Sequence, residues 1–176
     1  ALSDVILVGS ATALADDPEL TVRLTGLEDR SPIRLILDDG LKLPVTSKLV
    51  RTIEQAPLWI ATSAPPDDPT RVALAEAGAE FIAADVINNR IALPELLEDI
   101  AQRGLSTVMV EGGAAVAGAF LAEGLVDRLQ IYTSPKTIDG EGVAAPVTAD
   151  TVPPGFVRRR ADWFGEDRFD EFERLG

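Results

Sequence analysis

The chain contains neither cysteine nor histidine. Without cysteine there is no disulfide framework and no thiolate nucleophile. Without histidine as well, zinc sites of the usual Cys/His type, Ser-His-Asp hydrolase machinery and Cys-His machinery are excluded. Any chemistry falls to carboxylates, lysine, arginine, hydroxyls or a cofactor. Basic residues are scarce, 16 Lys and Arg against 29 Asp and Glu, for a net charge of −13. That balance argues against a nucleic acid or an anionic membrane as partner, because both need a basic surface. It leaves room for an anionic small molecule held by a few local arginines. No apolar run reaches transmembrane length and no charged-then-apolar signal segment opens the chain, so a cytoplasmic protein is the expectation. What is present is a 46% hydrophobic composition over 176 residues, enough for one domain with one sizeable core.

The most informative stretch runs from Val108 to Leu121. Ser106-Thr107-Val108-Met109-Val110 is short, apolar and partly β-branched, as expected of a parallel strand covered on both faces. Glu111 follows at the strand's carboxyl end, then Gly112-Gly113, then an alanine-rich helix that stops at Gly124. Ligands of open α/β sheets collect at the carboxyl ends of strands. A free helix N-terminus offers unpaired N–H groups and a positive dipole end to a phosphate. Two readings stay open here: a phosphate cradle with Glu111 beside it, or glycines that let the helix lie close to the sheet. For Glu111, catalytic use, substrate binding and a structural bond to a neighbouring loop are all open.

Strands are expected at Val5–Val8, Ile33–Leu37, Leu58–Ala61 and Glu80–Ala83. Helices are expected at Ser47–Gln55, Thr70–Ala77 and Leu93–Arg103, with one helical turn at Ala11–Ala15. Polar loops cover Gly26–Pro32 and Ser134–Pro146. Asp127–Thr133 reads as a strand, and Gly155–Trp163 with Arg168–Glu173 as a hairpin around Gly165-Glu166-Asp167. The order predicts an α/β fold, its sheet mixed and mostly parallel, helices on both faces, and an antiparallel carboxyl-terminal hairpin. The acids of Glu166–Glu173 read as a solvated strand face rather than a metal site, and Arg158-Arg159-Arg160 as a solvated edge.

Thr12 and Asp16 stand four apart beyond a strand end, on one side of a helical turn. Arg23, further along, is either a phosphate or carboxylate clamp, through its bidentate fork, or a surface arginine paired with one of many acids. Asp16-Asp17-Pro18 is also a strong turn signal.

These segments together resemble a known family. Gly9-Ser10-Ala11-Thr12-Ala13-Leu14-Ala15-Asp16-Asp17-Pro18-Glu19-Leu20-Thr21-Val22-Arg23 is similar to the G-x-x-T-x-x-x-D-x-P-x-L-x-x-R signature of riboflavin-biosynthesis reductases. Val110-Glu111-Gly112-Gly113 matches their V-E-G-G segment, and Leu125-Val126-Asp127 and Ser134-Pro135-Lys136 fall where they have L-V-D and x-P-K. The resemblance is to the reductase domain of the bifunctional diaminohydroxyphosphoribosylaminopyrimidine deaminase/5-amino-6-(5-phosphoribosylamino)uracil reductase. It implies a three-layer fold like that of dihydrofolate reductase, NADP as cofactor, a phosphorylated pyrimidine as substrate and a homodimer. By residue it implies cofactor contacts at Thr12, Asp16 and Asp39 and along the turn and helix start Gly113, Ala114, Ala115, Val116, Ala117, Gly118 and Ala119. It implies substrate contacts at Leu20, Arg23 and Glu111, with Arg23 the phosphate clamp and Asp16 a proton source.

The chain departs from the family in two places. The family's domain begins with a K-x-A-x-S-x-D-G strand and a W-[IV]-[ST] segment, neither of which is present, so residues 1–176 are expected to form a single reductase domain lacking its amino-terminal strand. The deaminase motifs H-x-E and P-C-x-x-C are absent too. Where the family commonly has D-S or D-R near the adenosine 2′-phosphate, this chain has Asp38-Asp39, and the extra carboxylate disfavours NADPH relative to NADH. NADP remains the expected cofactor. Two competing readings are a dihydrofolate-reductase-like enzyme with another substrate, and a non-catalytic fragment that binds nucleotide or mediates dimer contact. The set Thr12, Asp16 and Arg23 favours the phosphorylated substrate over a folate-like one. The aromatics Phe156, Trp163, Phe164, Phe169 and Phe172 fit a dimer interface or a core equally well.

Overall fold

A computed structural model describes residues 2–27, 30–88, 90–137, 139–140 and 142–176, so parts of the expected loops 26–32 and 134–146 lie outside the described residues. The chain divides into two compact units, Ala1–Val116 and Ala117–Gly176.

The first unit contains β1 (Val5–Gly9), α1 (Ser10–Asp16), β2 (Ile33–Leu37), α2 (Lys48–Arg51), β3 (Leu58–Thr62), α3 (Pro69–Glu76), β4 (Glu80–Ala83), β5 (Val86–Ile87), β6 (Arg90–Ile91), α4 (Leu93–Gln102) and β7 (Val108–Gly112), and leads into α5 (Ala114–Ala122). Five strands form a sheet in the order β4-β3-β2-β1-β7, every neighbouring pair parallel. The apolar runs explain this arrangement. All five residues of β1 and of β3 are buried, as strands covered on both faces require. Val8, Ile36 and Ile60 join Leu43, Leu49 and Leu74 in one core cluster. Strands β5 and β6 pair as a small antiparallel ladder that the apolar pattern does not reveal.

Local signals set the helix ends. Ser47 accepts the Val50 N–H at the start of α2, and Asp68 accepts from Thr70 and Arg71 at the start of α3. Gly78, at φ +99°, follows α3 in the left-handed region that glycine tolerates. Helix α2 is four residues long rather than the expected nine, and turns follow it.

Strand β7 corrects one expectation. Met109 and Glu111 are exposed, so the strand is not covered on both faces. Among the described residues its strand neighbour is β1, so it stands at the edge of the sheet.

The second unit holds the rest of α5 and three strands, β8 (Arg128–Thr133), β9 (Phe156–Phe164) and β10 (Asp167–Arg174). They form an antiparallel sheet in the order β8-β10-β9. Gly165 (φ +66°) and Glu166 connect β9 to β10 as the expected hairpin. Phe169 and Phe172 are buried, whereas Trp163 and Phe164 are 69% and 55% exposed. Core packing therefore accounts for only part of the aromatic set. The three consecutive arginines are more than a solvated edge. Arg158 pairs with the buried Asp170 at 3.1 Å, Arg159 with Glu173 at 3.1 Å and Arg160 with Asp162 at 2.5 Å. Among the described residues no helix is long and apolar enough to cross a membrane.

Candidate functional site

Because the sheet of the first unit is parallel, the carboxyl ends of β1, β2, β3 and β7 share one edge. Glycines let two of these ends meet. A Cβ on Gly9 would sit 2.8 Å from Val116 Cγ2, and one on Gly113 would sit 2.7 Å from Thr12 Oγ1. Both positions exclude any side chain without displacement. Gly112 is different: its φ is +118°, an added Cβ would meet nothing within 4 Å, and its peptide bond to Gly113 is cis. Close packing thus explains Gly113, and Gly112 faces open space.

Glu111 sits at an irregularity. The pairing of β1 with β7 runs Leu7 to Val110 and then Val8 to Gly112, which leaves Glu111 as an extra residue. The bulge leaves Glu111 unpaired, and its carboxylate is exposed at the sheet's carboxyl edge, in phase with Met109 two residues before it. A glycine closing a strand is the signal that could have predicted it.

At the end of β2, Asp38 is buried and its Oδ2 accepts the Leu43 N–H at 2.8 Å. Asp39 is exposed, and its Oδ1 accepts the Ser63 N–H at 2.9 Å and the Ser63 hydroxyl. The carboxylate expected at the cofactor is therefore held at the loop after β3.

Helix α1 carries Thr12, half-buried, and ends at Asp16, exposed. Asp17 does more than turn the chain. Its N–H returns to the Ala13 carbonyl at 3.2 Å, and its Oδ1 accepts the Lys48 N–H at 2.8 Å, joining α1 to the start of α2. Leu20 has φ +55° and packs half-buried against the core cluster. Arg23 is exposed in a pocket of about 420 Å³ with Glu19, Thr21, Val22, Ser31 and Gln55. Ser31 and Gln55 precede β2 and β3, so this pocket lies toward the amino-terminal ends of those strands. The pattern suggested Arg23 at a second strand end facing the glycine turn. The structure instead brings Thr12 to Gly113 and sets Arg23 further along, because α1 and the segment after it carry the chain back toward the start of β2. Residues 16–23 run between the two places.

One residue of this region escaped the sequence reading. Arg34 on β2 is fully buried. Its Nη1 donates to the Glu19 carbonyl at 3.0 Å and the Thr52 hydroxyl at 2.7 Å, and its Nη2 donates to the carbonyls of Thr52 at 3.1 Å and Ala56. Burial pulls its pKa down from 12.5 to about 10, against an upward pull from the Glu19 carboxylate, so it stays charged at neutral pH. The available signal was an arginine inside Ile-Arg-Leu-Ile-Leu, a run that reads as a strand buried on both faces.

Gly113, Ala114, Ala115 and Val116 form the turn and first positions of α5 in the first unit. Ala117, Gly118 and Ala119 continue the same helix in the second. The first N–H groups of a helix have no intrahelical acceptor. Together with the open space at Gly112 and the Thr12 hydroxyl against Gly113, they fit a dinucleotide phosphate.

Comparison with known proteins identifies the family. The family described as the RibD C-terminal domain matches residues 1–152. The riboflavin biosynthesis protein RibD of Bacillus amyloliquefaciens is 39% identical over 135 residues, 77% of this chain but only 35% of that protein. The 2,5-diamino-6-ribosylamino-4(3H)-pyrimidinone 5′-phosphate reductase of Archaeoglobus fulgidus is 30% identical over 182 residues, covering 99% of this chain and 76% of that protein. The chain thus spans about a third of the bacterial relative and about three quarters of the archaeal one. In fold it is similar to the diaminohydroxyphosphoribosylaminopyrimidine deaminase/5-amino-6-(5-phosphoribosylamino)uracil reductase of Thermotoga maritima, with a TM-score of 0.76 and 24% identity over 99% of this chain and 46% of that one. The chain belongs to the RibD C-terminal domain family.

Proposed function

We propose that the chain is the reductase of riboflavin biosynthesis, reducing 5-amino-6-(5-phosphoribosylamino)uracil to its ribitylamino form with NADPH. The observation that carries this reading is the Thr12 hydroxyl set against Gly113 at the carboxyl edge of a parallel sheet, in a member of this family. Thr12, Asp16 and Asp39 and the stretch Gly113–Ala119 would hold the cofactor. Leu20, Arg23 and Glu111 would hold the substrate, which would then reach from Glu111 at the carboxyl edge along residues 16–23 to the pocket around Arg23.

When bound, a reduced nicotinamide supplies the hydride that C1′ of the ring-opened imine receives. The protein's part is to bind, orient and shield. Arg23 offers two parallel N–H groups to the phosphate. Glu111, exposed at the bulge, accepts from the substrate's polar edge. Asp16, or a water it holds, delivers the balancing proton to the amine nitrogen. D16N is expected to lower kcat about a hundredfold, the lower range for losing a positioned acid–base group. Unchanged turnover would remove Asp16 from that role. A cytoplasmic location and a homodimer belong to the same proposal. Tyr132, Trp163 and Phe164, exposed on the second unit, are the surface offered for dimer contact.

The archaeal relative supports a second substrate, its 2,5-diaminopyrimidinone phosphate, since that alignment spans nearly the whole chain. Both compounds should be assayed by oxidation of NADPH and NADH. Turnover of the uracil compound supports the first reading, turnover of the diamino compound alone supports the second, and binding of dinucleotide without turnover of either favours a non-catalytic nucleotide-binding role.

A further inference from the structure

Strand β2 places an arginine where its neighbours Leu35 and Ile36 show that an apolar side chain is accepted. A buried guanidinium is disfavoured unless its donors are met, so the acceptors it reaches are informative. The two terminal nitrogens reach the carbonyls of Glu19, Thr52 and Ala56 and the hydroxyl of Thr52, while the buried Nε meets no acceptor among the described residues. These acceptors belong to two of the three segments that wall the pocket around Arg23, Ser31 standing in the third. Glu19, Thr21, Val22 and Arg23 form one wall, and Gln55, between Thr52 and Ala56, stands in the second.

The first wall needs an anchor. Residues 17–23 form neither helix nor strand. Asp17 ties the segment's start to α2, and the Val22 N–H donates to Ser31 Oγ at 3.0 Å near its end. Between them, the Arg34 guanidinium grips the Glu19 carbonyl. From this convergence we infer that Arg34 is a positioning residue for the phosphate clamp: it sets the Glu19–Arg23 wall against the Gln55 wall and so fixes where the fork of Arg23 stands. The inference rests on reading Arg23 as the clamp. Lysine cannot replace it, since a single ammonium lacks the planar fork that spans acceptors on two segments.

The test uses R34K, T52V and R23A in the full chain. T52V keeps the shape of Thr52 while removing one acceptor of Arg34, together with the bond from its hydroxyl to the Lys48 carbonyl. Calorimetry reads D-ribose 5-phosphate affinity, steady-state kinetics reads KM and kcat, fluorescence reads dinucleotide affinity, and hydrogen exchange reads the amides of residues 19–23 and 52–56. R34K should speed exchange in both segments, weaken ribose 5-phosphate and raise KM about tenfold, and leave kcat and dinucleotide affinity within about twofold. T52V should move the same quantities about threefold in the same direction.

Faster exchange in R34K with unchanged ribose 5-phosphate affinity, where R23A abolishes binding, would overturn the positioning role and leave the clamp. An equal loss of dinucleotide affinity would also overturn it, as a general loosening. If R23A itself leaves ribose 5-phosphate affinity unchanged, the clamp reading fails, and the role of Arg34 in phosphate binding fails with it.

Discussion

Thr12 and Gly113 come from distant parts of the chain, and the absence of one side chain lets them meet. A methyl at Gly113 would stand 2.7 Å from Thr12 Oγ1, closer than real Cβ contacts, so the Thr12 side chain, α1 or the turn must shift. Overpacking of this kind costs about 1–3 kcal/mol, and roughly tenfold in an equilibrium for each 1.4 kcal/mol. G113A is therefore expected to weaken dinucleotide binding by about fivefold to a hundredfold and to lower the melting temperature. T12A/G113A, which removes the hydroxyl, should recover the melting temperature of T12A. A double variant no more stable than G113A would show that the strain lies elsewhere. Thr12 and Gly113 were each legible in the sequence as residues at strand ends, because glycine and a spaced hydroxyl leave a pattern. Their contact was not legible, because it depends on which strands become neighbours. Arg34 was missed for another reason. Its partners are main-chain carbonyls and one hydroxyl, and main-chain partners leave no trace in residue types.

Among the elements, the parallel strands were the most legible, since burial on both faces demands continuous apolar runs such as Val5–Val8 and Leu58–Ala61. Strand β7 misled because an apolar run says nothing about what covers each face, and Met109 and Glu111, two apart on one face, are exposed. What fastens β7 to β1 is polar. Asp4 Oδ2 accepts four bonds, from the N–H and hydroxyl of Ser106 and of Thr107, at 2.8–3.2 Å. Led by the Ser106 N–H, these bonds lower the Asp4 pKa from 3.8 to about 2. The folded pKa lies below the unfolded one, so this contribution is fully present above about pH 4 and is lost as pH falls through about 2. D4N should be less stable than the parent at pH 7, and the difference should shrink as pH falls from 4 toward 2. Urea unfolding of both proteins across that range measures it. A difference independent of pH would mean that the charge on Asp4 does not carry the fastening.

At the scale of the molecule, a net charge of −13 stands against a proposed site that takes anions. The two effects act over different distances. The long-range field slows the approach of a phosphorylated substrate or a dinucleotide, whereas arginine forks and helix N–H groups act only after arrival. Salt separates them, because the screening length falls from about 30 Å at 0.01 M to about 8 Å at 0.15 M. Approach is governed by the field beyond the site, so the association rate for NADPH should rise over that range. Dissociation is governed by short polar contacts, which salt also weakens, so its rate should rise too, and the affinity should change less than either rate. Stopped-flow fluorescence of NADPH at several salt concentrations resolves both rates. An association rate that falls with salt would show that a local positive field outweighs the acidic surface, and Arg23 would then guide ligands as well as hold them.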